Sequence, residues 1–138
     1  MDRADDKKAS KKFSPADRLK SFTFAFTGLK SLFSDEHNFR IHIVVLVLVI
    51  AAGIFFQISG SDWIAVLIVS GLVISAECFN SAIEYMCDIV SPEYNQKVRK
   101  IKDITAAGVL VSAIIAAITG LIVFIPEIRE FLEKITGN

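Results

Sequence analysis

Apolar and polar positions along this chain fall into long blocks. Between residues 41 and 63 the only ionisable side chains are His42 and Asp62, near the two ends. Residues 63–76 carry no charge, and Glu77 then opens a continuation studded with polar groups. Residues 104–125 pass 22 positions without a charge. A hydrocarbon core about 30 Å thick needs about 20 mostly apolar residues at 1.5 Å each. The third block meets that length alone, and the first just meets it. The second meets it once Glu77, Asn80 and Glu84 are counted inside or near the membrane. The pattern predicts an all-α, integral membrane protein with three transmembrane helices, at about 41–58, 62–90 and 101–125. Three core helices of a soluble globule are the alternative, but 138 residues cannot surround three helices that are apolar on all sides.

The segment before the spans follows a different period. Residues 1–13 are charged and small and are expected to form a disordered tail. Ser14-Pro15 offers a helix start, with Ser14 as N-cap and Pro15 at the first position. Leu19, Phe22, Phe26, Leu29 and Phe33 then recur at gaps of three and four, which predicts an amphipathic helix over 15–35. With Lys20 and Lys30 off the stripe, such a helix suits the membrane surface. It suits packing against the spans as well. Ser59, Gly60 and Ser61 predict a tight turn after the first span, and Ser91-Pro92 an end to the second. Beyond the third span, residues 127–138 predict a short amphipathic helix through Ile128, Phe131, Leu132 and Ile135.

Charge changes the picture by giving it a direction. Fifteen Lys and Arg balance fifteen Asp and Glu, which argues against a nucleic-acid partner. Nine of the basic residues lie in positions 1–40 and four in the connection 91–103, whereas the connection 57–62 has none. The positive-inside rule then predicts a cytoplasmic N-terminus and a cytoplasmic second loop. No secretory leader is expected, because the first 40 residues lack an apolar run. Cys78 and Cys87 lie about 13 Å apart on one helix, too far to bridge, and are expected to be reduced, buried thiols. Trp63 is expected to anchor the helix at the interface.

The second span holds the candidate chemistry. Glu77, Asn80, Glu84 and Asp88 follow at gaps of three, four and four, within an arc of about 80° at 100° per residue. A charged side chain in the bilayer centre costs about 2.5–3.5 kcal/mol even on insertion scales, so this stripe needs partners. A divalent cation is one answer, and Mg²⁺ binds carboxylates together with substrate phosphates. Lys102, at the start of the third span, could then neutralise phosphate oxygens, and Glu36 could be a second metal ligand. A desolvated carboxylate without metal, such as Glu77, could act as general base. Interhelical hydrogen bonding, a membrane-boundary role for Asp88 and snorkelling by Lys102 remain open beside these readings. So does a transporter subunit that uses the carboxylates for protons.

These residues match a known pattern. The run AECFNSAIEYMCDIVSPEYNQKVRKIKDITAAGVLVSA (76–113) and EHNFRIH (36–42) resemble the small bacterial diacylglycerol kinase family, which also contains undecaprenol kinase. The shared features are E-x-x-N-[ST]-A-I-E-x-x-x-D, a short S-x-E-Y loop, and K-D ahead of a span rich in small residues. The resemblance covers roughly residues 18–126.

The resemblance implies a homotrimeric helical bundle in the bacterial inner membrane that moves the ATP γ-phosphoryl to a lipid hydroxyl. It implies Glu77 as catalytic base, Asn80 orienting Glu77 or the phosphoryl group, and Glu36 and Glu84 holding Mg²⁺. Lys102 would pair with phosphates, and Asp103, Glu93 and Asn95 would help to hold the nucleotide. Asp88 would fix the nearby helix ends. The family's basic contact near the start of the surface helix falls at Asp17, with Arg18 beside it as the candidate. His42 stands where the Gram-negative diacylglycerol kinases tend to carry an acid, and the undecaprenol kinases look more like this chain. No Gly-rich phosphate loop is present, so catalysis would rest on positioning and charge neutralisation.

Overall fold

Long apolar runs free of proline and charge leave the backbone one way to satisfy its polar groups in lipid, the helix. The computed structural model describes residues 15–137, with side chains from residue 19. The expected tail, the Ser14 cap and the Arg18 side chain lie outside the described residues. Four helices follow in order: α1 (Pro15–Asp35), α2 (His37–Phe56), α3 (Gly60–Val90) and α4 (Gln96–Thr136). The last three are each long and apolar enough to cross a membrane. α3 packs along α4, α2 leans on α3, and α1 packs sparsely, chiefly against α2. The α1 stripe of Leu19, Phe22, Phe26, Leu29 and Phe33 is wholly exposed within the single chain.

The turn between α2 and α3 differs from expectation. Its left-handed residue is Gln57 (φ 54°), while Gly60 is simply the first residue of α3. The Gln57 and Ile58 N–H groups reach back to Ile54 O and Gly53 O and close the end of α2. Ser59 caps α3, its Oγ accepting from the Asp62 N–H at 3.2 Å. Ile58, Val66 and Val123 are buried here, with Phe56, Trp63 and Phe124 packed on them. Trp63 is therefore a packing residue of this end as much as an interface anchor. A Cβ on Gly53 would lie 2.8 Å from Trp63 Cη2, so only glycine lets the indole sit flush on α2.

The α3 end matches the Ser91-Pro92 signal, since the helix stops at Val90. The end of α4 does not. The expected division was a span over about 101–125 and a separate short helix over 127–138, and a proline such as Pro126 disfavours a continuous helix because it lacks an N–H and crowds the preceding turn. The helix instead runs through Pro126 to Thr136. Phe131 meets Phe55 and Phe56 edge to face, with centroids 5.5 and 5.9 Å apart, and these contacts hold the last turns of α4 against the end of α2.

Candidate functional site

Toward the other end of α3 most of the buried residues are polar. Glu77 is 2% exposed, Asn80 6% and Ser81 1%. Glu77 lies 17 residues beyond Gly60, which at 1.5 Å each is about 26 Å along the helix. For a span that enters the hydrocarbon at Gly60, that is near the far face of a layer about 30 Å thick, with about 21 Å of α3 still to run before the 91–95 loop.

The spacing of three and four brings the stripe together as the helical period requires. Asn80 Nδ2 donates to Glu84 Oε1 at 2.9 Å, so Asn80 orients Glu84. The expected partner was Glu77 or the phosphoryl group; within the chain, Asn80 and Glu84 are one turn apart in the favourable i, i+4 relation. Glu77 faces a pocket of about 240 Å³ between α2, α3 and α4, where Asn38, His42 and Asn80 are the other polar residues. The α4 wall is small and apolar, including Ala106 and Ala113. Glu36, Glu84 and His42 lie within electrostatic reach of Glu77. Glu36 is the single residue between α1 and α2, beside the Tyr85 hydroxyl.

The basic and loop residues divide into two groups. Lys102 Nζ donates to Asp88 Oδ1 at 2.5 Å, tying α4 to the last turns of α3. Lys102 is thus paired with a carboxylate of its own chain. Asp103 belongs to another face of α4, with Arg99 at 4.0 Å and beside Tyr94 and Lys100. Asn95 caps α4, its Oδ1 accepting from the Lys97 N–H at 2.9 Å. The Glu93 side chain is exposed, and its backbone oxygen accepts from Ser91 Oγ at 3.3 Å. One protomer therefore joins Glu36, Glu77, Asn80 and Glu84, and leaves Asp103, Glu93 and Asn95 apart.

Sequence reasoning missed three residues. Asn38 and His42 are one turn apart on α2 and enter the Glu77 pocket together. The i, i+4 pairing within EHNFRIH was the available signal. Ser81 has a buried hydroxyl with no partner among the described residues, as does Asn80 Oδ1. Each such group costs about 1–3 kcal/mol, which marks this end as organised for something other than stability. The cysteines are free, Cys87 buried and Cys78 half-buried.

Among the described residues, no three His, Cys, Asp or Glu side chains come close enough to hold a metal by themselves. Two carboxylates, one of them held by Asn80, fit the other way of binding Mg²⁺, in which substrate phosphates complete the shell.

Comparison with known proteins bears on the chemistry directly. The family model for prokaryotic diacylglycerol kinase matches residues 23–124. An undecaprenol kinase of Bacillus subtilis is 30% identical over 110 residues, covering 80% of this chain and 89% of that protein. A diacylglycerol kinase of Synechocystis is 32% identical over 115 residues, 83% of this chain and 66% of that protein. The Escherichia coli K12 diacylglycerol kinase is 28% identical over 101 residues, 73% and 83% respectively. All three are kinases, and nothing in these likenesses favours a transporter subunit. With a buried carboxylate on α3, three helices able to span a membrane, and a match across most of its length, the chain belongs to the prokaryotic diacylglycerol kinase family and is a lipid kinase of a bacterial membrane.

Proposed function

We propose that the protein transfers the γ-phosphoryl of ATP to the free hydroxyl of a membrane lipid, diacylglycerol or undecaprenol. The observation that carries this reading is Glu77, a carboxylate 2% exposed in a pocket between α2, α3 and α4, with a second, Asn80-held carboxylate two turns along. Glu77 accepts the hydroxyl proton as the lipid oxygen bonds to the γ-phosphorus and the bond to the β–γ bridging oxygen breaks, releasing ADP. Glu36 and Glu84 would hold Mg²⁺, which neutralises phosphate charge when bound. Asn80 keeps Glu84 in one rotamer for that purpose. Lys102 exchanges Asp88 for phosphate oxygens, and Asp103, Glu93, Asn95 and Arg18 serve the nucleotide.

Lys102 and Asp103, about 100° apart on α4, would reach the nucleotide from different sides. A homotrimer would bring another copy's face to the Glu77 pocket. The bare apolar faces of α2 and α4 support such assembly, as well as lipid contact. The exposed stripe of α1 suits the surface of the inner membrane, and the basic N-terminal segment suits a cytoplasmic N-terminus.

The test is phosphorylation in detergent, with γ-labelled ATP and the two lipids supplied side by side. The reading expects label in at least one lipid, lost on chelation of Mg²⁺ and restored by its return. Absence of labelled lipid from both would overturn it.

A further inference from the structure

Glu36 is the one non-helical residue between α1 and α2, with extended backbone (φ −101°, ψ 114°). Its N–H closes α1 on Leu32 O at 2.9 Å, and its carbonyl receives the Arg40 N–H at 3.4 Å to open α2. It stands at the N-cap of α2, yet its side chain makes no cap hydrogen bond. Polar side chains at that position commonly turn back onto the helix they precede. This one is half-buried on the side of α3, where the Tyr85 hydroxyl lies within hydrogen-bonding reach. The neighbouring carboxylate, Asp35, accepts from Ser31 Oγ at 2.9 Å and is occupied within α1. Among the described residues no ion pair joins α1 or α2 to α3, and α1 packs sparsely. The phenol is therefore a direct polar tie between the residue-36 junction and the acid-bearing half of α3.

Tyr85 follows Glu84 in the chain, and Asn80 already holds Glu84 through a neutral N–H at 2.9 Å. The two carboxylates thus have the same kind of partner. A neutral donor takes one lone pair of a carboxylate and leaves its charge intact. A Lys or Arg in the same place would offset that charge and repel an incoming cation. Carboxylates that bind metals are themselves held by hydrogen bonds from such outer partners.

We propose that Tyr85 is a positioning residue for the metal site: its hydroxyl donates to one oxygen of Glu36 and holds that carboxylate beside Glu84, so that both serve one Mg²⁺. The inference rests on the reading above in which Glu36 and Glu84 bind the metal of Mg·ATP. Tyr85 itself touches neither metal nor lipid. What it supplies is order: without the hydroxyl, Glu36 sits on a sparsely packed junction and must be collected at the moment of binding. An exposed tyrosine toward the end of a spanning helix also suits an interfacial anchor, and the test separates the two roles.

The experiment compares wild type, Tyr85→Phe, Glu36→Gln and the double variant in detergent. Phenylalanine keeps the ring and removes only the hydroxyl. Mn²⁺ is the paramagnetic probe, and its protein-bound fraction is read with a non-hydrolysable ATP analogue present, so no turnover is needed. Tyr85→Phe is expected to weaken Mn²⁺ binding about tenfold, the lower end for loss of such an outer partner. Its thermal midpoint should match wild type, and its KM for lipid should stay within about twofold. In the Glu36→Gln background the same change should cost less than about twofold, because its effect passes through Glu36. Two results overturn the proposal: wild-type Mn²⁺ affinity in Tyr85→Phe, as an interfacial anchor would give, or a tenfold loss that persists in the Glu36→Gln background, which would mean that Tyr85 acts on the fold alone. Wild-type Mn²⁺ affinity in Glu36→Gln would remove Glu36 from the metal site and the proposal with it, while labelled lipid would still support the kinase reading. Wild-type protein that labels neither lipid would remove the kinase reading itself.

Discussion

The two ends of the α2–α3–α4 bundle are built on opposite terms. Near the 57–59 turn, Ile58, Val66 and Val123 are buried, the indole of Trp63 lies on Gly53, and Phe131 closes over Phe55 and Phe56. In the half of α3 that runs toward the 91–95 loop the buried residues include Glu77, Asn80 and Ser81, and two of their polar atoms lack partners among the described residues. Lipid tails are as apolar as leucine, so burying apolar area gains little between spans, and close-fitting contacts carry the association. One end supplies those contacts. The other tolerates unfavourable polar burial because its groups are poised for ligands.

Substitutions should separate the two ends cleanly. The largest effects belong to the polar end: Glu77→Gln and Glu84→Gln should each lower turnover at least ~10²-fold, with assembly in detergent unchanged by gel filtration. Near-normal turnover in either would remove that carboxylate from the mechanism. Asn80→Leu keeps the volume and removes the bond to Glu84. It should reduce activity about tenfold, comparable to one lost hydrogen bond, and raise the Mg²⁺ concentration for half-maximal rate. An unchanged Mg²⁺ dependence would mean Glu84 needs no support.

At the packed end the readout is stability. Phe131→Ala removes two edge-to-face pairs and should destabilise the protein by about 1–3 kcal/mol, seen as a lower thermal midpoint, with turnover at low temperature retained. A large loss of turnover without loss of stability would show that the two ends are coupled. Gln57→Gly should have the smallest effect and the opposite sign, a gain of about 0.5–1 kcal/mol in thermal denaturation, because glycine adopts the left-handed conformation without penalty.

Much of this division could be read from residue order. The spans follow from where charges are missing, and the end of α3 from Ser91-Pro92. The acidic stripe follows from gaps of three and four. What escaped depends on contacts between distant segments. Pro126 reads as a helix end, and only Phe131 meeting Phe55 and Phe56 explains why α4 continues. Gly60 reads as the turn residue, but the register of α2 puts Gln57 in the left-handed position. Asn80 could have served either neighbour, and side-chain reach chose Glu84. The pocket role of Asn38 and His42 needed the packing angle of α2 on α3, which no periodicity encodes. The split between Lys102 and Asp103 follows from their adjacency on a helix, and was legible as soon as α4 was known to start at Gln96.

The central claim is that Glu77 activates the lipid hydroxyl and does not serve nucleotide binding. It is tested most directly by Glu77→Gln, with labelled phosphoryl transfer to lipid and affinity for Mg·ATP measured on the same preparation. The account predicts transfer reduced by two orders of magnitude or more with nucleotide affinity within about twofold of wild type. Transfer within a few fold of wild type, or a loss of nucleotide affinity that matches the loss of rate, would contradict it.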